Sequence, residues 1–478
     1  MSKKIIVLVA IVVVTGLLIG ALNFVQKLEG PQQSQSVASV SESIYVLGGP
    51  DSTNRTVNVH ISGKNGSFTV VDTKPNEAKS TMNYAIEGYE GLAINPYDVT
   101  AIADRAANLV VQSVIAESGA NLAEFGLDKP STTVDITYHD NTKAKLFMGN
   151  SAPGDSGVYV MKDGDPAVYL LYMTSAEYFL ANPIELVDLA ITAGNPHESF
   201  INSAVLGGAV RENEIRIRQA DQSENSGQMA FATHDIVAPI QARLHIIGGL
   251  EPVASVFGLY ASEVAAKIDS NDELSKYGLA EPYSTIEIKS ETDGEFKLLA
   301  SKPGDDGNCY VVREGVPAVY IVPSASLLWL ELTPFQAMEK MLVIPFIDSV
   351  SGVTVELPGQ TFKFTLEAQE DLLTVALDGQ PYEDVKNFRQ FYQTLLSASY
   401  ESYTEEKPDT NAKVLLRFSY SYRDGSEPTV ITFYEGASRK VFIQLDDESP
   451  MYALSSYVDR VISDTAKVVA GEAIKSYY

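Results

Sequence analysis

The chain has 478 residues, of which 45% are hydrophobic, so it is long enough for about two to four domains with well-filled cores. Its formal charge of −27 argues against a protein that binds nucleic acid through Lys and Arg contacts to phosphates. The single cysteine, Cys309, excludes an intrachain disulfide, and its apolar surroundings predict an inert core thiol rather than a nucleophile.

Residues 5–25 are the clearest local signal in the chain. They are all apolar apart from Thr15, Gly16, Gly20 and Asn23. A helix of this length rises about 30 Å, which matches the hydrocarbon core of a bilayer. Because no small-residue cleavage site and no lipid-accepting cysteine follow, residues 1–29 are predicted to be a short cytoplasmic tip and an uncleaved transmembrane anchor, with Lys3 and Lys4 in the cytoplasm. Residues 30–41 are predicted to form a polar stalk.

The next region, residues 42–190, is predicted to be a first repeat unit. Alternating apolar and polar residues predict strands at 56–62, 67–71 and 84–88. Asn95 and Pro96 begin a predicted helix that continues to about Ser113, with Asp98 or Thr100 as its cap. A short helix is predicted at 175–180.

A motif of this first unit recurs in the second unit, residues 191–345. It begins Phe125-Gly126-Leu127 in the first copy and Tyr277-Gly278-Leu279 in the second, and a Pro follows three residues later. Four short strands follow each copy, at 133–138, 158–160 and 166–169 among others in the first. We expect each Gly to adopt a positive φ and each Pro to begin an extended segment.

The second and third units follow the same plan with less regularity. The second is predicted to have strands at 214–218 and 228–232, a helix within 252–268 and a helix at 327–341. The third, residues 346–478, is predicted to have a helix at 384–399 and a last helix at 455–462, and it lacks the Gly-Leu pair before Pro408. The predicted fold is therefore α+β: an N-terminal transmembrane helix followed by about three repeated units of antiparallel sheet plus helices.

No catalytic, cofactor-binding or metal-binding residue is predicted. The short sequence motifs of zinc enzymes, serine hydrolases and nucleotide-binding loops do not occur. The histidines are scattered along the chain, at His60, His139, His197, His234 and His245. Acidic turns at 154–157, 304–308 and 446–448 have oxygen donors for a weak calcium site. Asp and Gly are also what hairpin turns require, and we favour that interpretation.

Tyrosines in the closing strands leave two interpretations open. They could form an aromatic platform for a glycan or a peptide, or they could pack between strands, which we favour. The residues are Tyr159, Tyr169, Tyr310, Tyr320 and Tyr452.

The repeated motif resembles the bacterial domain-of-unknown-function family DUF4340. The resemblance rests on residues 125–130, their copy at 277–282, the strands that follow and the lead-in at 88–92. It covers the first two units well and the third poorly. It implies a single-pass envelope protein associated with ABC transporters of the gliding-motility type and their extracytoplasmic auxiliary subunits.

From these features we expect a non-enzymatic interaction protein of the cell membrane, with its N-terminus in the cytoplasm and the bulk of the chain outside. We expect it to be accessory to an ABC-type transporter permease, its auxiliary subunit or another envelope complex. The alternative is an envelope module that binds glycan or peptide through the strand tyrosines.

Overall fold

The fold is described by a computed structural model that covers residues 43–75, 83–220, 233–369, 372–402, 412–445 and 451–475. The predicted anchor and stalk, the predicted strand at 228–232, the turn at 446–448 and Pro408 lie outside these residues. None of the helices within the described ranges is both long enough and apolar enough to cross a membrane.

Unit 1 is a nine-stranded antiparallel sheet in the order β1-β5-β9-β8-β7-β6-β2-β3-β4. Its strands are β1 (Ile44–Leu47), β2 (Thr56–Gly63), β3 (Gly66–Asp72), β4 (Tyr84–Ile86), β5 (Leu109–Ala116), β6 (Thr132–Tyr138), β7 (Lys143–Ser151), β8 (Gly157–Lys162) and β9 (Val168–Tyr172). The helices α1 (Pro96–Ala107) and α2 (Met173–Leu180) bury Ile102 and Phe179 in one core with the sheet.

Unit 2 is also a nine-stranded antiparallel sheet, in the order β13-β12-β11-β10-β15-β16-β17-β18-β14. Its strands are β10 (Ile201–Gly207), β11 (Ile215–Gln219), β12 (His234–Ala238), β13 (Ala242–Arg243), β14 (Glu263–Lys267), β15 (Ser284–Ser290), β16 (Gly294–Ala300), β17 (Asn308–Arg313) and β18 (Ala318–Pro323). Its helices are short: a π-helical turn (Ile246–Leu250) that continues into α3 (Glu251–Ala254), and α4 (Pro334–Ala337).

Unit 3 is an eight-stranded antiparallel sheet in the order β22-β21-β20-β19-β23-β24-β25-β26. Its strands are β19 (Val350–Leu357), β20 (Gln360–Gln369), β21 (Leu372–Leu377), β22 (Gln380–Tyr382), β23 (Val414–Tyr422), β24 (Thr429–Glu435), β25 (Lys440–Leu445) and β26 (Met451–Leu454). Two amphipathic helices, α5 (Val385–Leu396) and α6 (Ser455–Ala470), pack on each other and contribute to its core.

The three sheets share a common core arrangement, which confirms the prediction of roughly three repeated units. Each sheet contains two meanders whose first strands pair with each other: β2 with β6, β10 with β15, and β19 with β23. In units 1 and 2 an additional strand, β5 or β14, pairs with the last strand of the second meander. Alternating residues face the core, as in β6, where Val134 and Ile136 are buried. The class is antiparallel α+β with much more strand than helix.

The predicted end of the first helix was wrong. The helix stops at Ala107, because residues 109–116 form β5 and pair with β1 and β9. The β-branched residues that follow Asn108 fit a pleated strand better than a helix. The cap is also different from the prediction, since the Asn95 side chain accepts a hydrogen bond from the Tyr97 backbone N at 3.1 Å.

Two predicted helices of unit 2 were largely wrong, and one of unit 3 was too short. Within 252–268 only the end of α3 is helical, and residues 263–267 form β14. Within 327–341 only α4 is helical, and the carbonyls of Trp329, Leu330 and Leu332 accept hydrogen bonds from the guanidinium of the partly buried Arg211. The last helix continues past Ile462 to Ala470, because its buried face extends to Val468.

The same joint connects unit 1 to unit 2 and unit 2 to unit 3. Each connector begins with a capping box and a Pro, formed by Asn182 and Glu185 in the first and by Thr333 and Gln336 in the second. Each then pairs with the unit that it leaves: Val187 bridges to Ile94, and Met338 bridges to Leu244.

The connectors then pair with the unit that they enter. Ala190 bridges to Tyr260 before β14, and Met341 bridges to Ser399 in unit 3. The backbone hydrogen bonds also correspond, since Ala261 N donates to Leu189 O and Tyr400 N donates to Lys340 O, both at 2.8 Å. Adjacent units are therefore held by backbone pairing and not by a free linker.

The repeated Gly-Leu turn has the same geometry in units 1 and 2, and the predicted positive φ is confirmed. Gly126 has a φ of 69° and Gly278 a φ of 68°, each at the end of a 3-10 helix. The next residue closes the turn, because Leu127 N donates to Leu122 O at 2.9 Å and Leu279 N donates to Leu274 O at 3.0 Å. Both leucines are thereby buried.

Replacing Gly278 with Ala is expected to lower the free energy of unfolding by about 1–2 kcal/mol, because only backbone strain opposes the new side chain. Its Cβ would meet Ser301 Cβ at 3.9 Å and nothing closer. Gly126→Ala is expected to cost more, because its Cβ would lie 2.5 Å from Asn150 Oδ1. Denaturant unfolding of both variants measures the difference, and equal losses would contradict the steric contribution.

Candidate interaction site in unit 2

The five strand tyrosines do not converge on one surface, because they are distributed over three sheets. Tyr159 packs edge-on against Phe125 with ring centroids 4.9 Å apart, and Tyr310 packs in the same way against Tyr277 at 5.1 Å. Tyr320 is buried. These contacts favour the packing interpretation, in which the aromatic residue of each Gly-Leu turn covers a strand tyrosine.

The remaining two tyrosines also have local partners. Tyr169 OH donates to Asp165 Oδ2 at 2.7 Å, and both this bond and burial of the phenol raise the pKa of Tyr169 to about 12. The Tyr452 ring lies against Phe442 with centroids 4.8 Å apart. No tyrosine lines the cleft of unit 2 described below.

The acidic turns that the structure describes act as turns. Asp306 accepts hydrogen bonds from the Asn308 backbone N at 3.1 Å and from Asn308 Nδ2 at 2.9 Å, and these bonds lower the pKa of Asp306. Asp155 lies in an exposed turn with a φ of 51°. In the part of the chain that the structure describes, no group of three or more His, Cys, Asp or Glu side chains is arranged to hold a metal ion.

Cys309 and His234 are core residues. Cys309 is 1% exposed in β17, and burial raises the pKa of its thiol to about 11, which agrees with the predicted inert thiol. His234 is also buried, with Nε2 2.7 Å from Ile201 O, and burial lowers its pKa.

One polar cluster was not anticipated from the sequence. The buried carboxylate of Asp72 bonds to Arg55, to the Lys74 backbone N at 2.9 Å and to His139 Nε2 at 3.1 Å. Asp72 and His139 are separated by 67 positions in the chain, so no local pattern reveals the cluster. The cluster links the ends of β2, β3 and β6 in unit 1, as a structural ion-pair network does.

The most distinctive surface lies where unit 2 departs from the plan of the other units. In units 1 and 3 an α-helix follows the last strand, whereas in unit 2 a segment made of the 3-10 helix Ser324–Ser326 and irregular turns, residues 324–332, takes this place. The first helix of the unit is also replaced, in part by the rare π-helical turn. The two departures are neighbours, because Gly248 of the π-helical turn and residues of 324–332 line one cleft.

A cleft of about 520 Å³ lies between these two departures. Four leucines form most of its apolar wall, namely Leu327, Leu328, Leu330 and Leu332. Leu328 is 54% exposed, and Ile247, next to the lining residue Gly248, is 67% exposed. Leu327, Leu330 and Leu332 are buried, so the exposed apolar surface at the cleft comes from Leu328 and from Ile247 beside it. Exposed apolar side chains next to a concave surface make it a candidate binding site. We call this surface the Leu328 cleft.

Arg211 holds the wall of the Leu328 cleft in place. Its guanidinium donates to the carbonyls of Trp329 at 2.6 Å, Leu330 at 3.1 Å and Leu332 at 3.2 Å. It also donates to Gly207 O and to Ser284 Oγ. Burial without a carboxylate hydrogen-bond partner lowers the pKa of Arg211 to about 10, so the group remains charged at neutral pH.

Three polar side chains of the cleft already have structural partners. Glu331 accepts from Tyr283 OH at 2.6 Å, Gln336 accepts from the Thr333 backbone N at 2.9 Å, and Lys340 Nζ lies 4.9 Å from the centre of the Phe335 ring. These partners fix the three side chains within the wall of the cleft. The sequence does contain a signal for this segment, the run Leu-Leu-Trp-Leu. Four consecutive apolar residues would point to all sides of a helix, whereas an amphipathic surface helix has apolar residues on one face only.

A family model described as "Domain of unknown function (DUF4340)" matches residues 85–232 and 253–417, which is more than half of the chain. The chain belongs to the DUF4340 family. Each DUF4340 match takes the second meander of one sheet and the first strands of the next, so the sequence repeat is out of phase with the folded units. No curated protein and no solved structure matches the chain.

Proposed function

We propose that this DUF4340 protein is a membrane-anchored, extracytoplasmic interaction protein that is accessory to an ABC-type transporter or a related envelope complex. In this proposal the Leu328 cleft is the contact site for the partner, a transporter permease or its auxiliary subunit. The three units present the cleft outside the cell, and no reaction takes place on the chain.

The observation that carries the proposal is the Leu328 cleft itself. It combines the exposed side chain of Leu328, and that of Ile247 beside it, with polar groups that already have partners within the wall. Exposed apolar side chains at a concave surface gain free energy when a partner covers them, at about 25 cal/mol per Å² of apolar surface removed from water. Backbone pairing between units keeps the cleft in a fixed position relative to unit 3.

The membrane part of the proposal is supported by the sequence. The apolar stretch at residues 5–25 follows Lys3 and Lys4, which is typical of an anchor with its N-terminus in the cytoplasm. The transporter part is supported by the family resemblance alone.

The test is affinity purification of the tagged full-length chain from membranes solubilised in several mild detergents. We expect a transporter permease or its auxiliary subunit to copurify with the wild-type chain. Leu328→Asp is expected to abolish this recovery, because it introduces a charge into the apolar wall.

Leu372→Asp is the matched control, because Leu372 is 65% exposed on β21 of unit 3 and is not part of the cleft. It should leave the recovery unchanged. Purification of the wild-type chain alone in every detergent would count against an accessory subunit. Equal recovery with both variants would instead show that the partner binds elsewhere on the chain.

A further inference from the structure

The turn between β2 and β3 in unit 1 contacts the end of α2. Its residues Lys64 and Asn65 are exposed, and Asn65 Nδ2 donates to the carbonyl of Leu180, the last residue of α2, at 2.5 Å. Phe179, the neighbour of Leu180, is buried in the core of unit 1, and the connector to unit 2 begins at Asn182. One side-chain amide therefore joins the first hairpin of unit 1 to the end of the chain segment that leaves the unit.

The amide that makes this contact is chemically reactive in its sequence context. Asn65 precedes Gly66, and no other Asn-Gly pair occurs in the sequence. In such a pair the backbone N of the Gly can attack the side-chain carbonyl carbon of the Asn, because a Gly has no side chain to shield that nitrogen. Gly66 is exposed, and a Cβ built on it would have no atom within 4 Å. This side of the turn is therefore open to solvent.

Two contacts restrain the Asn-Gly pair in the folded chain. Gly66 lies opposite Gly63 at the end of the ladder between β2 and β3, and the Asn65 side chain is held by the Leu180 carbonyl. The attack requires both groups to be released, so it takes place when the end of the hairpin opens. Exposed turns open at a small fraction of the free energy of global unfolding, so folding slows the reaction without preventing it.

We propose that Asn65 is a site of spontaneous deamidation, and that the reaction disconnects the first hairpin from α2. The Gly66 nitrogen loses its proton to the solvent and bonds to Asn65 Cγ, and the amide nitrogen leaves as ammonia, which gives a five-membered succinimide. One water molecule then opens the ring at either of its two carbonyls. The product is an aspartate or an isoaspartate at position 65, and the reaction needs no cofactor and no partner protein.

Both products remove the donor that the Leu180 carbonyl has in the unmodified chain. A carboxylate only accepts hydrogen bonds, so it and the Leu180 carbonyl repel each other. The C-terminal end of a helix also has a partial negative charge, which disfavours an anion there. The isoaspartate in addition lengthens the backbone of a tight hairpin turn, which disturbs the pairing of β2 with β3. The end of α2 therefore loosens after the reaction.

The reaction is tested by incubating the full-length chain in zwitterionic lipid nanodiscs at mildly alkaline pH and analysing digests by mass spectrometry. The peptide that contains Asn65 is expected to gain about one mass unit, the difference between an amide and an acid. Asn141 is the internal control, because it is exposed in the turn between β6 and β7 but is followed by Thr142, whose side chain shields the nitrogen. It should stay unmodified over the same period.

The consequence for α2 is tested with Asn65→Asp, which reproduces the aspartate product. The matched control is Asn141→Asp, which adds the same charge to an exposed turn. In hydrogen exchange the backbone amides of residues 177–180 are expected to exchange about tenfold faster in Asn65→Asp than in the wild-type chain, as for the loss of one hydrogen bond. Asn141→Asp should leave their exchange unchanged.

A synthetic peptide of residues 60–70 verifies that the conditions support the reaction, and it should react faster than the folded chain. Reaction of this peptide while Asn65 of the folded chain stays intact would overturn the proposal, and so would an equal rate at Asn141. Unchanged exchange of residues 177–180 in Asn65→Asp would overturn the connection to α2. These measurements need no partner, so they are independent of the outcome at the Leu328 cleft.

Discussion

Raising the pH above 10 is expected to destabilise unit 3 by about 4 kcal/mol for each pH unit, because three of its core tyrosines cannot ionise while the unit is folded. Tyr392, Tyr420 and Tyr457 are buried in one core, and burial raises the pKa of each above its ordinary value of 10. In the unfolded chain the same phenols ionise near pH 10, so unfolding releases protons.

The sign follows from this release. The stability due to the protonated phenols is complete below pH 10 and is lost as the pH rises through the window between 10 and the raised pKa values of the folded state. A domain stability of about 5–15 kcal/mol is then exhausted within a few pH units. Tyrosinate absorbance and far-UV circular dichroism should change together in an alkaline titration. Ionisation of these tyrosines without loss of secondary structure would contradict the expectation.

Two substitutions distinguish the contributions of individual tyrosine hydroxyl groups in this core. Tyr457 OH donates to Leu395 O at 2.9 Å, whereas Tyr420 OH has no hydrogen-bond partner among the described residues. Tyr457→Phe is expected to cost about 1 kcal/mol at neutral pH, and Tyr420→Phe is expected to stabilise the unit by about the same amount. Each variant should lose less unfolding free energy per pH unit above pH 10 than the wild-type chain, because it has one fewer buried phenol to ionise on unfolding. Denaturant unfolding measures the difference, and a loss of stability in Tyr420→Phe would mean that its hydroxyl is bonded.

The sequence was sufficient to predict strands and turns where a periodic pattern is long and local. The alternation at 133–138 predicted β6, and the Gly-Leu turns predicted positive φ values at Gly126 and Gly278. The repeat itself predicted about three units of similar plan, because similar sequences form similar strands.

The failures occurred where distant residues decide the conformation. Residues 109–113 have apolar positions that fit a helix or a strand, and pairing with β9 decides for the strand. The joints also depend on pairs such as Ile94 with Val187, which no local pattern indicates. The Leu328 cleft was missed for the same reason, since Arg211 and the carbonyls that it holds are 118 to 121 positions apart.

Replacing Arg211 with Leu is expected to lower the free energy of unfolding of unit 2 by about 3–5 kcal/mol. The guanidinium makes five hydrogen bonds, and its loss would leave the carbonyls of Trp329, Leu330 and Leu332 without these donors. Arg211→Lys is expected to cost about half as much, because one ammonium group cannot reach partners on both sides of the segment. Denaturant unfolding gives the loss of free energy.

Arg216→Leu is the matched control, because Arg216 is exposed on β11 and forms a surface ion pair with Glu214 at 2.8 Å. Such a surface pair contributes about 0–1 kcal/mol. The two variants also differ in where the chain loosens: Arg211→Leu should make residues 324–332 susceptible to limited proteolysis, and it should weaken partner recovery through the Leu328 cleft. If Arg211→Leu were as stable and as protease-resistant as Arg216→Leu, the apolar packing of Trp329 would hold the wall of the cleft, and the guanidinium would have no structural role there.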